Sequence, residues 1–263
     1  MKKALTLSIV IPVYNEQAYL SACLKSLANQ TVAPDEVVVV DNNSTDRTVE
    51  IAKQYPFVRV LRETKQGKVY ARNTGFDSVR TDLIGRIDAD SRLAPDWVAT
   101  AKDYMARHEV TAAITGNCYF YDFPLKRAFR AGHHLVYYNL QKLISGGEVL
   151  WGSNMVIRTS AWKQVREACA ALDDGRFHED IDLSFKLHAQ GSKIARLPKL
   201  LAEVSLRKGD LSPRSIVKYL LPWPKTYWLS GKYFSGALTS FMLLILLAIV
   251  LPISLIVSVI KSI

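Results

Sequence analysis

Residues 83–91 read Leu-Ile-Gly-Arg-Ile-Asp-Ala-Asp-Ser, and this stretch decides the fold and the chemistry of the chain. Its start has the character of a buried strand, and it ends in two carboxylates, Asp88 and Asp90. If the strand continues through both, they lie on one face and repel each other unless a cation or a proton lies between them. A divalent ion with oxygen ligands satisfies both, and such an ion commonly binds a substrate's phosphates. The three residues 88–90 alone favour the alternative, a solvated Asp-x-Asp turn.

Three earlier segments also have the character of buried strands, and a helical pattern follows each. They are Leu7–Val13, Val37–Val40 and Val58–Leu61, the second being a continuous β-branched run typical of a strand covered on both faces. After the first segment, apolar residues recur at the spacing of one helix face. These residues are Leu20, Cys23, Leu24 and Leu27. The order β-α-β-α-β-α-β predicts an α/β fold with a mainly parallel, Rossmann-like sheet flanked by helices.

Polar clusters follow three of these strands at their carboxyl ends. They are Tyr14-Asn15-Glu16, Asp41-Asn42-Asn43 and Asp88-Ala89-Asp90. Ligands of open α/β sheets lie outside the carboxyl ends of the strands. Three such clusters at one sheet edge are difficult to explain as solvated turns, so the sequence predicts a functional site there.

No glycine-rich phosphate loop follows any of the predicted strands. Neither a Gly-x-Gly-x-x-Gly pattern nor a P-loop pattern is present, which excludes the usual dinucleotide and P-loop cradles. Phosphates at this edge would be neutralised by a metal ion and by basic side chains, of which Lys65, Lys68 and Arg72 are near. For the lysines, an exposed helix face is the alternative.

A second acidic group follows an open loop, Asp173–Arg176. Glu179 and Asp180 begin a helical pattern with a broad apolar face that ends near Gly191. Acidic residues in a first turn complement the helix dipole, which explains their charge but not the pair's position after such a loop. The pair is therefore a second candidate for catalysis.

The segment between the two acidic groups is less regular. Aromatic and basic residues between 120 and 138 are typical of a segment that covers a groove or of an interfacial helix. His133 and His134 are adjacent, so they face different sides of a helix and are not expected to share a metal ion. Residues 151–158 return to a strand pattern after a glycine-containing turn.

The C-terminal part of the chain differs in composition from the rest. The chain carries a formal net charge of +10, and eight Lys or Arg against two acidic residues lie between positions 196 and 232. Nucleic acid and anionic lipid both suit such a cluster. An uncharged run, residues 233–260, follows directly and exceeds the ~20 residues that a membrane helix needs, which favours lipid. We expect a transmembrane or re-entrant helix over 233–263, a basic and aromatic juxtamembrane segment over 206–232, and no nucleic-acid partner.

The three cysteines, at an odd count and without metal-type spacing, indicate reduced thiols. The positive-inside rule places the body of the protein, residues 1–205, on the cytoplasmic face of the cell membrane.

Over about residues 5–205 the chain resembles glycosyltransferase family 2, enzymes of GT-A fold that transfer a sugar from a nucleotide-sugar. Five motifs in the family's order carry the resemblance. They are Ser8–Glu16, Asp41–Asp46, Ala71-Arg72-Asn73-x-Gly75, the Asp-x-Asp motif Asp88-Ala89-Asp90, and His178-Glu179-Asp180 with Asp182-Leu183. The second motif more often begins Asp-Asp-Gly in the family, so Asn42 and Asn43 are departures that concern contacts to the base.

The resemblance implies a role for each matching residue. The nucleotide-sugar would contact Pro12, Tyr14, Glu16, Asp41, Asn43, Lys68, Arg72 and Asp88. Asp90, with Asp88, would bind Mg²⁺ or Mn²⁺ across the diphosphate, and Asp180, with Glu179 as the second candidate, would be the general base. Trp151, Gly152, Ser153 and Asn154 would flank the acceptor.

The function that the resemblance implies is a metal-dependent, membrane-associated inverting transfer of one sugar to a hydroxyl of a lipid or lipid-linked acceptor, as in the synthesis of a glycolipid or a cell-envelope glycan. The Gln-x-x-Arg-Trp motif of processive members is absent. A polyprenyl-phosphate glycosyltransferase, whose acceptor phosphate needs no base, is the first alternative. A catalytically silent module that binds the membrane surface is the second.

Overall fold

The computed structural model describes residues 4–122, 138–169, 177–205, 217 and 220–262, and of residue 246 and residues 249–262 the backbone alone. Within these ranges the chain builds an eight-stranded sheet in the order β3-β2-β1-β4-β7-β6-β8-β5. The strands are β1 (Leu7–Val13), β2 (Glu36–Asp41), β3 (Val58–Arg62), β4 (Leu83–Arg86), β5 (Arg92–Leu93), β6 (Thr111–Phe120), β7 (Met155–Arg158) and β8 (Lys193–Val204).

The first half of the sheet confirms the predicted β-α repeat. Strands β3, β2, β1 and β4 are all parallel, with Ile9 opposite Val37 and Gly85 in the adjacent pairs. Their carboxyl ends therefore meet at one edge, and the three polar clusters lie there.

The second half of the sheet is mixed rather than parallel. Strand β7 pairs antiparallel with both β4 and β6, β5 pairs antiparallel with β8, and β6 and β8 are parallel. Helix and strand cease to alternate regularly after residue 104, so crossovers no longer impose one strand direction. The antiparallel placement of β7 brings residues 151–154 to the same edge as the end of β4.

Helices cover both faces of the sheet. They are α1 (Leu20–Ala28), α2 (Thr48–Lys53), α3 (Lys68–Ser78), α4 (Trp97–Arg107), α5 (Asn139–Ser145), α6 (Thr159–Val165), α7 (Glu179–Ala189), α8 (Pro222–Leu229) and α9 (Tyr233–Ser262). The predicted face of α1 is buried at all four positions. Alternate residues of β1 enter opposite layers, since Ile9 packs with α1 and α4 whereas Val10 packs with α3, α6 and α7. Cys23, Cys118 and Cys169 are free thiols in this interior.

The two last helices occupy the predicted juxtamembrane and apolar segments. Helix α8 packs against α5 and α7 through Tyr227, which is fully buried with Ile144, Ile181 and Phe185. Across the described ranges, no helix combines the length and the apolarity that crossing a bilayer demands. The predicted membrane-spanning helix is therefore not supported, although α9 does occupy residues 233–262.

Three segments discussed from the sequence lie outside the described residues. They are most of the aromatic stretch (123–137, with His133 and His134), the open loop before the second acidic pair (170–176), and the first part of the basic segment (206–216, 218 and 219).

Candidate active site

The loops after β1 and β2 are bonded to each other, which fixes the first two polar clusters side by side. Asn15, in the left-handed region at φ 54°, accepts the N–H of Thr45 on its side-chain oxygen at 2.8 Å. The N–H of Glu16 donates to Oγ1 of Thr48 at 2.7 Å. Glu16 is thereby held in the interior while Tyr14 stays half exposed at the rim. Pro12 lies two residues before Tyr14, near the end of β1.

The β2 loop in turn holds the loop after β3. The side-chain amide of Asn42 donates to the carbonyls of Glu63 and Lys65, and its oxygen accepts the N–H of Gly67 at 2.7 Å. Asn43, at φ 66°, donates to the carbonyl of Thr64 at 2.9 Å. An aspartate at position 42 could not donate to two carbonyls, so the departure from the family motif serves this loop.

Asp41 and Lys68 lie on either side of that loop. Asp41 is buried and accepts the N–H of Ser44 at 3.1 Å. Lys68 begins α3 and is exposed, as the alternative interpretation of the lysines allowed, and its charge acts on His178 and Glu179. The first two polar clusters and the second acidic pair are therefore neighbours in space.

Strand β4 ends at Arg86, before the two carboxylates. Asp88 to Ser91 form a turn in which the N–H of Ser91 donates to the carbonyl of Asp88 at 3.0 Å. Strand alternation therefore does not orient Asp88 and Asp90. Instead Asp88, partly exposed, accepts a hydrogen bond from Arg86 at 3.0 Å, and Asp90 is buried, 7% exposed.

These carboxylates fit a divalent ion that is shared with a substrate. No three His, Cys, Asp or Glu side chains come together as a metal-binding group among the residues described. Mg²⁺ and Mn²⁺ do not need such a cage, because they commonly bind through one or two carboxylates and complete their shell with phosphate and water. Burial raises the pKa of the Cys23 thiol, and the negative charges of the nearby Asp90, Asp88 and Glu16 raise it further.

Two buried arginines hold Glu179. Its Oε2 lies 2.7 Å from Nη1 of Arg72, and its Oε1 lies 2.8 Å from Nη1 of Arg86. Burial alone would raise the pKa of Glu179, but the charges of Arg86 and Arg72 lower it below its usual value. Arg72 is only 1% exposed and is fully engaged with Glu179 and Asn73, so its guanidinium lies behind the site rather than on its surface.

Asp180 has the opposite electrostatic environment. Burial and then the negative charge of Glu179 raise the pKa of Asp180, against the weaker pull of His178 and Arg86. Its Oδ2 accepts the N–H of Gly152 at 2.8 Å, and its Oδ1 accepts the N–H of Ile181 at 2.9 Å. The two acidic neighbours therefore differ, since one is stabilised as an anion and the other is poised to accept a proton.

The turn before β7 supplies the remaining predicted residues. Trp151 lies beside Tyr138, with ring centroids 5.5 Å apart, and the carbonyl of Ser153 accepts from Ser91 of the acidic turn at 3.2 Å. Asn154 is fully buried and uses its whole amide on Trp97, Asn117 and Leu200. Its side chain secures the turn and is not presented to an acceptor.

Hydrogen bonds therefore link the turn of Asp88 and Asp90 to the turn before β7, and that turn to Asp180. Residues 8–166 match the sequence family described as Glycosyl transferase family 2. The chain belongs to this family.

Curated relatives of the glycosyltransferase are longer proteins. Glycosyltransferase GlyA of Streptococcus pneumoniae is 29% identical over 220 residues, which are 78% of this chain and 31% of GlyA. A beta-monoglucosyldiacylglycerol synthase of Nostoc sp. is 27% identical over 194 residues, which are 69% of this chain and 41% of the synthase. The chain thus spans less than half the length of either.

Solved structures confirm the predicted GT-A fold. The mannosyltransferase PcManGT from Pyrobaculum calidifontis, in complex with GDP-Man and Mn²⁺, superposes with a TM-score of 0.64 at 18% identity, over 90% of this chain and 74% of that one. TarS 1–349 of S. aureus, in complex with UDP-GlcNAc, gives 0.60 at 18% identity, over 82% and 64%.

Two residues of the candidate site did not emerge from the sequence motifs. Arg86 joins Asp88 to Glu179 and is buried, 4% exposed. The available signal was a single charged residue inside an apolar strand, since arginine is rarely buried without a partner. Thr226 of α8 accepts the N–H of His178 at 2.8 Å, and no local pattern could indicate that contact.

Proposed function

We propose that this glycosyltransferase transfers one sugar, with inversion, from a nucleoside-diphosphate-sugar to a hydroxyl of a lipid or lipid-linked acceptor. The observation that carries the proposal is that Asp180 is fastened to Gly152, in a turn bonded to the Asp88–Ser91 turn. One base facing one leaving group is what a single displacement requires.

The donor is proposed to bind along the carboxyl ends of β1, β2 and β4. Pro12, Tyr14 and Glu16 would line the nucleoside pocket, Asp41 would hydrogen-bond the base, and Lys68 would approach the diphosphate. Asn43 would act by shaping the loop that carries Lys65 and Gly67. The neighbours that bind GDP-Man and UDP-GlcNAc support a nucleotide-sugar of one of these classes without selecting between them.

Asp90 is proposed as the principal protein ligand of Mg²⁺ or Mn²⁺, with Asp88 as its companion. The bound cation would offset the charge that develops on the departing nucleoside diphosphate. Asp88 keeps one carboxylate oxygen on Arg86 and has the other for the ribose or for the cation's shell.

Asp180 is the proposed general base, in preference to Glu179. A base works best when its pKa approaches the working pH, and burial raises the pKa of Asp180 whereas two arginines lower that of Glu179. Trp151, Gly152 and Ser153 would flank the acceptor hydroxyl beside this carboxylate.

The acceptor is proposed to be presented at the cytoplasmic face of a membrane. Helix α9 carries large apolar side chains that are well exposed, among them Phe234 at 83%, Leu244 at 67% and Phe241 at 61%. Together with the basic segment over 206–232, such a face suits an anionic lipid surface. The name of the Nostoc relative, a diacylglycerol glycoside synthase, agrees with a lipid acceptor.

A donor screen followed by an acceptor screen tests the proposal. The purified chain is incubated with UDP-, GDP- and dTDP-sugars and Mn²⁺, release of nucleoside diphosphate is measured, and lipid extract is then added. We expect release for one nucleotide class, stimulation by lipid, and loss of both after chelation of the metal. No release with any donor, together with no calorimetric binding of a nucleoside diphosphate, would instead indicate a silent module. Transfer that survives in Asp180→Asn would point to a phosphate acceptor.

A further inference from the structure

We infer that Arg86 is a positioning residue of the transfer reaction, which ties the strand end that binds the donor to the helix and turn that hold the base. The inference rests on the proposed function. It concerns how the end of β4, with Asp88, is held at a fixed position relative to the start of α7, with Glu179 and Asp180. The sequence motifs assign no residue to this role.

The guanidinium of Arg86 contacts both halves directly. On the donor side, Nη2 donates to Oδ1 of Asp88 at 3.0 Å. On the acceptor side, Nη1 lies 2.8 Å from Oε1 of Glu179, the residue before the proposed base. A planar guanidinium serves two carboxylates at once, which the point charge of a lysine cannot do in the same geometry.

Arg86 also lies against the peptide that orients Asp180. A methyl group added at Gly152 would come within 1.6 Å of Nη1 of Arg86, so glycine at this position leaves room for the guanidinium. The N–H of the same residue is the donor to Oδ2 of Asp180. Movement of Arg86 would therefore be transmitted to the base through Gly152 as well as through Glu179.

The charges explain why loss of Arg86 would displace Asp88 more than Glu179. Glu179 retains Arg72, which also bonds its backbone carbonyl at 2.9 Å. The ion pair of Asp88 that the described residues provide is the one with Arg86. Without it, Asp88 would be repelled by the nearby carboxylates and would lose the fixed orientation in which one oxygen faces the donor.

Arg86→Gln and Arg86→Lys test the inference, with Arg158→Gln as the matched control. Arg158 is an ordered arginine of the same strand pair, since Leu83 pairs with Arg158 and Arg86 pairs with Met155 at the other end. It donates to the carbonyls of Thr111 and Met105, remote from the acidic turn. Loss of either arginine is expected to lower stability. Of the two, only Arg86 contacts both the Asp88 side and the Glu179 side of the site.

We expect Arg86→Gln to lower kcat for transfer about 10²-fold, since a displacement on the order of 1 Å has that effect, while KM for the acceptor changes less than threefold. Arg86→Lys is expected to recover about tenfold of the loss, because it keeps a charge near one carboxylate. Calorimetry with Mn²⁺ and the nucleoside diphosphate should show weaker binding in Arg86→Gln and unchanged binding in Arg158→Gln.

Equal kcat in Arg86→Gln and Arg158→Gln, compared at temperatures equally far below their melting points, would overturn the inference. If Arg86→Gln does not fold, Arg86→Lys provides the test. A wild-type kcat in Arg86→Lys would also overturn the inference. Failure of the proposed function has a different signature, since the wild-type protein itself would then neither bind the nucleotide nor transfer a sugar.

Discussion

The backbone N–H of Gly152 donates to Oδ2 of Asp180 across 2.8 Å, which fastens the carboxylate of α7 to the turn before β7, 28 residues earlier in the chain. This single bond aims the proposed base at the sheet edge where the donor is expected.

Asp180→Asn should remove the base without changing the size of the side chain. Since positioned general bases contribute about 10²–10⁴-fold, we expect a loss of transfer in that range, measured as kcat with the identified donor and acceptor. The control is Asp182→Asn on the same helix, whose carboxylate is paired with Lys186. A comparable loss in the control would mean that charge on the helix, rather than Asp180 itself, matters.

Transfer should fall on the acid side at a higher pH than an ordinary aspartate would give. Burial and the charge of Glu179 raise the pKa of Asp180, so the base becomes protonated before a solvated aspartate would. The same shift has a consequence for folding, because protonation of Asp180 stabilises the fold at low pH and this stabilisation is lost as pH rises through the raised pKa. The pH profile of kcat/KM measures the first effect, and an acid limb near that of free aspartate, about pH 3.9, would contradict it.

Glu179→Gln should destabilise the fold strongly. It leaves Arg72 and Arg86 buried without their shared anion, which typically costs about 3–5 kcal/mol, measured by urea unfolding. Because its two arginines lower the pKa of Glu179, the stabilisation is present above the unfolded-state value of about 4.3 and is lost as pH falls through the folded-state value.

The matched control for that variant is Glu36→Gln. Its partner Arg59 is 39% exposed, and exposed ion pairs contribute about 1 kcal/mol or less. Similar losses of unfolding free energy in the two variants would show that the buried ion pairs of Glu179 contribute no more to stability than the exposed pair of Glu36.

Gly152→Ala should displace Arg86 without removing any charge. The added methyl would overlap Nη1 of the guanidinium, so we expect a loss of about 1–3 kcal/mol in stability together with a fall in kcat. Gly147→Ala is the comparison, since its methyl would meet only the ring of His188 at 3.0 Å. Full activity in Gly152→Ala would show that the guanidinium can leave its place without consequence.

Thr226→Val should destabilise the N-terminal end of α7, the helix that carries the proposed base Asp180. The hydroxyl of Thr226 accepts the N–H of His178, and an unsatisfied buried N–H costs about 1–3 kcal/mol. The melting temperature and kcat should therefore both fall. Thr239→Val is the control, because that buried hydroxyl donates only within α9, to Ser235 and Gly236.

The first half of the fold could be predicted because its signals are local. Continuous apolar strands and the period of α1 give element type, burial and strand direction without knowledge of any distant contact. The second half could not, because the place of β7 between β4 and β6 depends on pairings between residues 40 or more positions apart. Hydrophobic pattern does not encode that register.

The site was predictable to the level of motifs but not of side-chain direction. Gly152 is bonded to Asp180, and Arg86 joins Asp88 to Glu179, whereas the roles assigned to these residues stay predictions. Arg72 and Asn154 belong to the same motifs, yet both side chains point into the interior and are saturated by protein partners. Whether a polar residue faces a ligand or supports its neighbour depends on tertiary contacts, which a linear pattern does not contain.

The hydrogen bond from His178 to Thr226 joins α8 to the start of α7, which carries Asp180. A protein shortened to the matched region, which ends at residue 166, would lack α7 and with it Asp180. One shortened after β8 would keep the carboxylate but strip the cover from Ile181 and Phe185, the residues that α8 shields. Helix α9 packs against α8, so a displacement of α9 would reach the first turn of α7 through the hydrogen bond between His178 and Thr226.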